Sequence, residues 1–285
     1  MMTIISGVGL LLLTLAVFSI FSLKFPKGSQ AMSGMANAAV ASFLIEAVHK
    51  YITGDLLGIA FLGEVGATAG SLGGVAAGIM VPLSMGVNPV FAVVGGLACG
   101  GYGILPGFIA GYIVGLIAPY IEKYLPTGLD IILGSLTIAP MARLFALVVD
   151  PAVNSILGMI GGTITAAADQ SPVIMGFLLG GIMKMICTSP LSSMALTAML
   201  GLTGLPMGIA AIACFGGSFT NGMVFHKMGY GDKSNIIAVM LEPLTQAHIV
   251  TAHPIPIFVS NFFGGGLAGL AAAMLGIVNN APGTA

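Results

Sequence analysis

GVGLLLLTLAVFSIF, residues 7–21, is the stretch on which the fold turns. Fifteen residues pass without a charge, and apolar side chains follow one another without alternation. A transmembrane β-strand would alternate apolar and polar positions with a period of two, and this run does not. A chain in lipid must satisfy its own backbone hydrogen bonds, so an apolar run of this kind predicts a membrane helix. The uncharged segment extends over 1–23, and a span needs about 20 apolar residues. A signal peptide is the competing reading. No positive region precedes the run and no clear small-x-small exit site follows it, so residues 2–23 are expected to be a retained first helix.

The rest of the chain repeats the pattern. No Asp, Glu, Lys or Arg occurs in 65–121, 185–225 or 243–285. Charged residues make up 6% of the 285 residues and hydrophobic ones 57%, against about 25% charged in an ordinary soluble domain. The mean hydropathy is +1.09. Such a chain lacks the polar side chains to cover a water-facing surface. The lipid bilayer is therefore its expected environment, as a multi-pass protein of the inner (plasma) membrane. Eight basic against nine acidic residues form no patch that neutralises phosphates, which excludes nucleic acid as a partner.

The expected fold is an all-α integral membrane protein of about ten membrane segments, near 2–23, 31–48, 66–85, 88–118, 129–149, 153–167, 173–187, 191–213, 236–250 and 258–279. Segment 51–65 is too short and polar to span and is expected to lie at the interface or to be re-entrant. Gly100, Gly101, Gly103 and Pro106 are expected to break the long 88–118 segment. The stretch 214–235, CFGGSFTNGMVFHKMGYGDKSN, reads as a polar loop. By the positive-inside rule Lys24 and Lys27 place the loop after the first helix in the cytoplasm, and His226, Lys227 and Lys233 mark a second cytoplasmic loop.

Forty-three glycines point to helices that approach closely and are interrupted in places, which fits transporters better than simple anchors. Their polar counterparts concentrate after Asp150-Pro151, in ADQSP, CTSPLSS, GGSFTNG, EPLTQAH and TAHPIP. Polar groups at membrane depth are costly and mark solute or ion paths. Residues 1–150 thus read as a scaffold and dimerisation domain, and 151–285 as a substrate-binding transport domain with hairpins. The small-residue stretch GATAGSLGGVAAG, 66–78, is the expected homodimer contact.

The strongest candidate site is Glu242-Pro243 with Thr245, Gln246, His248, Thr251 and His253, set between IIAVML and PIPIFVSNFF. A carboxylate, an amide and imidazoles make oriented bonds to hydroxyl pairs; the plainer alternative is an interfacial loop with Glu242 in water. Thr188, Ser189, Ser192 and Ser193 surround Pro190 and form the second candidate, a helix break whose freed groups hold a solute, or else a simple turn. Asp169 is expected to cap the helix after Pro172. Lys184, mid-segment, either snorkels or pairs with a carboxylate. Cys99, Cys187 and Cys214 show no metal-ligand spacing, and no cofactor or metal is expected.

GFIAGYIVGLIAPYIEKYLPTGLDIILGSLTIAPM (107–141) resembles the Gly-Phe-x-Ala-Gly-Tyr segment of phosphotransferase-system enzyme IIC membrane subunits. SPVIMGFLLGGIMKMICTSPLSSMAL (171–196) resembles their polar-break region, and Glu242-Pro243 the Glu-Pro of the substrate hairpin in glucose-type members. The chain is most similar to small stand-alone IIC-like proteins of the PfoR type. The resemblance implies a homodimeric two-domain transporter of a sugar or polyol that works by an elevator-like movement. It also implies phosphorylation of the sugar by a separate IIB phosphocarrier partner, and a cytoplasmic N-terminus, opposite to the charge-based orientation. A clear His before the Glu-Pro hairpin is missing; Ser189 to Ser193 stand in that region. A membrane sensor without turnover and an ion-coupled transporter are the competing functions.

Overall fold

The computed structural model describes residues 2–280 apart from 127, 169–170, 190, 192, 194–195 and 198–201. Among the described residues the chain is helical, with no strand and a single isolated bridge between Gly204 and Asn279. The all-α expectation holds. Five helices are long and apolar enough to cross a membrane, or six if one bent pair makes one span. Contacts divide the chain into two compact units, Phe25–Asn154 and Met1–Lys24 with Ser155–Ala285.

The Phe25–Asn154 unit begins with α2, a helical run over Gly28–Leu56 that widens into π-helix at Val40–Leu44 and Ala47–Leu56. Expected to end near 48, this helix runs on to Leu56, where Glu46 and Lys50 form a 3.0 Å salt bridge one turn apart. Gly58, with φ +73°, turns the chain into α3, Ala60–Ser71. Helix α4, Gly73–Ser84, follows at a 59° bend. Asn88 then caps α5, Pro89–Ala98, by accepting from Val90 N at 2.9 Å, with Pro89 in the first turn where its missing N–H costs nothing.

The glycine-rich break occurs where the sequence places it. Helix α5 stops at Ala98, Gly101 takes φ +83°, and α6 starts at Ile104 and runs to Tyr124. Arg143 spans the gap by donating to Ala98 O at 3.2 Å and Gly100 O at 2.6 Å, while its guanidinium lies over the Tyr102 ring. A cation at a helix C-terminus is favourable there. Glycines let α4 meet its neighbours backbone to backbone: Gly34 of α2 abuts Met80 and Val81, Gly78 abuts Gly96, and Gly107 abuts Gly74. Val87, Phe91, Val114, Ala118, Ile138 and Ala142 form an apolar core.

Helix α7 departs from expectation. Segments 129–149 and 153–167 are one continuous helix, Leu129–Ala168, which passes through Pro140 and Pro151. Asn154 donates to Asp150 at 3.0 Å across the Pro151 turn. Proline is tolerated in membrane helices when local groups take up the freed backbone positions.

The other unit joins α1, Met2–Lys24, to α8, Pro172–Cys187; α9, Gly204–Met228; α10, Lys233–Leu241; α11, Ala247–Ala252; and α12, Pro254–Met274. The stretch 214–228, read from its polar residues as a loop, is the second half of α9. Its polar residues are partly turned inward, and Asn221 is 1% exposed. The loop proper begins at Gly229, whose left-handed φ of 69° ends the helix. Helices α8 and α12 approach so closely that Gly180 faces Gly265 and Gly176 faces Gly269. Phe177, Phe262 and Phe263 pack ring against ring beside that seam. Leu12, Leu13, Val17 and Ile20 of α1 are exposed, as a lipid-facing surface requires.

Candidate functional site

A helix break positions Glu242. Helix α10 starts with a reciprocal cap: Asp232 accepts from Asn235 N at 3.0 Å, and Asn235 Oδ1 accepts from Asp232 N at 2.9 Å. Nine residues later the helix stops at Glu242, because Pro243 cannot continue it and holds the preceding residue extended, at φ −147° and ψ 99°. A 3₁₀ turn, Pro243–Gln246, leads into α11. Glu242 Oε1 accepts from Leu244 N at 3.2 Å, and Thr245 Oγ1 donates to Glu242 O at 2.7 Å. The buried Gln246 accepts from Asn235 Nδ2 at 2.8 Å and donates to Thr245 Oγ1 at 3.2 Å. Asn235 therefore ties the start of α10 to the far side of the break, and Asp232, Asn235, Gln246, Thr245 and Glu242 form one hydrogen-bonded chain.

Lys184 of α8 lies within electrostatic reach of this break. It is fully buried, and its stem lies in a slot between Gly217 of α9 and Gly265 of α12, both of which lack the Cβ that would fill it. The ammonium donates to Cys214 O at 3.1 Å and Ser218 Oγ at 3.4 Å. Lys184 thus does not snorkel, and no carboxylate among the described residues pairs with it directly. Glu242 lies within electrostatic reach of Lys184 and of Cys187. The Cys187 thiol in turn meets Cys214 and Ser193. Cys187 is half-buried and Cys214 buried.

The other expected residues have varied places. Thr188 ends α8 and accepts from Asn221 Nδ2 at 3.2 Å, fully buried. Ser189 donates to Ile186 O at 2.7 Å and accepts from Leu191 N at 3.2 Å, so its hydroxyl closes the turn after α8. Ser193 is buried beside Cys187. Ser192, Pro190 and Asp169 lie outside the described residues. His248 is half-buried on α11, and its Nδ1 has no partner. His253 is exposed and stacks on Tyr230, with ring centroids 4.0 Å apart.

Two polar residues do not stand out in the sequence. Asn221 lies in the stretch that reads as a polar loop, and Asn261 lies inside PIPIFVSNFF, though an amide in the middle of an apolar run is itself a signal. Asn261 is fully buried, and neither its Oδ1 nor its Nδ2 has a partner. Among the described residues no cluster of three or more His, Cys, Asp or Glu side chains is arranged to hold a metal. The residues from α8 to α12 thus include a carboxylate, a buried ammonium, amides and hydroxyls, groups able to donate and accept hydrogen bonds.

The family model described as "Phosphotransferase system, EIIC" matches residues 29–285. No curated protein and no solved structure matches the chain.

Proposed function

Because the chain belongs to the phosphotransferase system EIIC family, an integral membrane family of permease type, we propose that it carries a sugar or polyol across the bilayer and that Glu242 is the central contact for the solute. The observation that carries this reading is the placement of a carboxylate at a helix break within reach of a fully buried lysine. A charge at membrane depth is retained where it is paired, hydrated by a cavity or used. The residues from α8 to α12 are then the moving, substrate-binding part, with the break at Glu242 and the turn after α8 as hairpins that open alternately to the two sides. The shorter helices on either side of the breaks would raise the number of membrane segments towards ten.

The remaining residues, Phe25–Asn154 above all, would serve as the fixed scaffold of a homodimer. The small-residue stretch 66–78 is occupied within the chain: Gly66 abuts Lys50, Gly74 abuts Tyr102 and Gly78 abuts Gly96. A dimer contact is better supplied by the exposed apolar side chains of α7, among them Ile132, Leu136, Leu144 and Val148. Phosphorylation of the solute would come from a separate IIB phosphocarrier.

The test is uptake of labelled sugars and polyols by proteoliposomes, with and without a phosphorylated IIB protein and with and without a sodium or proton gradient. The reading expects uptake of one of them, and loss of tenfold or more in binding for Glu242→Gln, since a charge-assisted hydrogen bond is worth about 1.5–3 kcal/mol. Binding without any uptake would assign the chain as a sensor. Unchanged binding by Glu242→Gln would remove Glu242 from the site.

A further inference from the structure

The seam between α8, α9 and α12 carries a second polar layer next to Lys184. Lys184 packs on Gly217 of α9 and Gly265 of α12. Helix α12 runs antiparallel to the other two: Gly176 meets Gly269 while Gly180 meets Gly265, and Gly216 meets Ala268 while Gly264 meets Thr220. Extended by one turn, the Gly176–Gly269 and Gly180–Gly265 pairs bring Asn261 of α12 level with Lys184, and the next turn of α8 and α9 brings Thr188 and Asn221. The hydrogen bond from Asn221 Nδ2 to Thr188 Oγ1 fits this register.

All three residues are buried, at 0%, 1% and 0% exposure. Yet Asn221 Oδ1, Asn261 Oδ1 and Asn261 Nδ2 have no hydrogen-bond partner. Buried polar atoms are almost always satisfied, and each orphan lowers stability. Three orphans on adjoining turns of one seam are a standing cost that packing does not explain.

The chemistry of the layer selects its ligand. Asn221 Oδ1 and Asn261 Oδ1 accept; Asn261 Nδ2 and the Thr188 hydroxyl proton donate. A cation would meet the Asn261 NH₂ and the Lys184 ammonium. An anion would meet two bare carbonyl oxygens. A hydroxyl group both donates and accepts, and a neighbouring pair of hydroxyls spans the donor and acceptor edges of one amide. We propose that Thr188, Asn221 and Asn261 form a subsite that binds adjacent hydroxyls of a neutral polyhydroxylated solute and sets its specificity, an inference that rests on the permease reading above.

The experiment uses the full chain in nanodiscs with labelled asparagine side chains, the Asn221 and Asn261 signals being assigned from single variants. It is titrated with glucose, mannose, galactose, mannitol and sorbitol, and separately with sodium chloride against choline chloride, while calorimetry reports which of them binds. The binding sugar or polyol is expected to shift both amide signals. Asn261→Leu is expected to weaken its binding tenfold or more while raising the melting temperature, because the variant removes two orphaned atoms. If a sugar binds but leaves both signals unmoved and Asn261→Leu binds it like the parent, the subsite is refuted while the permease reading stands. A shift with sodium and not with the sugar overturns the proposal in favour of a cation site. If none of the five binds, both readings fall together.

Discussion

Replacing Lys184 by Met separates a structural lysine from a functional one. Two opposing effects decide its stability. The ammonium makes one good charge-assisted bond, to Cys214 O at 3.1 Å, and one long contact, to Ser218 Oγ at 3.4 Å; together they are worth about 2–4 kcal/mol. Against this stands the removal of a full charge from water, an effective penalty of several kcal/mol. Neither partner is stranded by the change, because Ser218 Oγ still donates to Cys214 O at 2.9 Å. Methionine also follows the lysine stem through the slot between Gly217 and Gly265. The two effects nearly cancel, and Lys184→Met is expected to change stability by no more than about 1.5 kcal/mol. For a unit of this size that is about 3–6 °C in melting temperature.

Solute binding behaves differently. Lys184 is the positive group within electrostatic reach of Glu242, and its loss removes that favourable potential from the proposed solute contact. Binding is expected to fall by about tenfold or more, or about 1.4 kcal/mol. Lys184→Arg keeps the charge but forces a broad guanidinium into the glycine-walled slot, and overpacking of that kind costs about 1–3 kcal/mol. The assays are thermal unfolding in mild detergent and calorimetric titration with the transported sugar. The reasoning is refuted if Lys184→Met loses more than about 10 °C, or if it binds solute like the parent.

Two further expectations follow from packing and capping. A Cβ on Gly265 would sit against Lys184 Cβ and 2.6 Å from Gly180 O, so Gly265→Ala should destabilise by about 1–3 kcal/mol. Gly158→Ala, on an exposed helix position with nothing within 4 Å, should be neutral or raise the melting temperature by the usual helix preference; equal effects of the two would refute the close-packed seam. Asn235→Ala removes its bonds to Asp232 and Gln246, at about 1 kcal/mol each. It should weaken solute binding through a displaced Glu242, whereas Asn235→Asp, which keeps the capping acceptor but not the donor to Gln246, should retain the helix start and still lose binding.

The parts of the fold legible in the sequence are those that depend on local composition. The charge-free runs announce α1, α6 and α12, and the glycine cluster at 100–103 announces the break between α5 and α6. Pro172 marks the start of α8, whereas the apolar segment expected over 236–250 is broken at Glu242 and Pro243, where α10 ends. Misreadings arise where composition is ambiguous. The polar residues 214–228 look the same whether they face water in a loop or face inward on a helix; Lys184, Thr188 and the glycines of α12 decide the matter, and they are distant in sequence. Pro151 looks like a stop, but α7 continues through it, as membrane helices do where surrounding groups take up the freed backbone position. Glu242 and Gln246 stand out locally. The burial of Lys184 depends on Gly217 and Gly265, and the layer at Asn221 and Asn261 depends on the pairing of three helices, so neither could be read from neighbouring residues alone.

The grouping of α1 with Ser155–Ala285 has a consequence for the order in which this protein is made. On the ribosome α1 emerges before all of Phe25–Asn154, yet the helices of its own unit come after that stretch. Helix α1 is therefore made well before its partners, and its exposed Leu12, Leu13, Val17 and Ile20 suit it to apolar surroundings meanwhile. The Phe25–Asn154 unit is contiguous and can close as soon as it is inserted, whereas the other unit closes a loop of that whole length before its first helix docks. High-separation contacts of this kind form late and slowly. The unit holding Glu242 and Lys184 is thus the last to be completed, and an interrupted synthesis leaves a finished first unit with the helices around Lys184 unassembled.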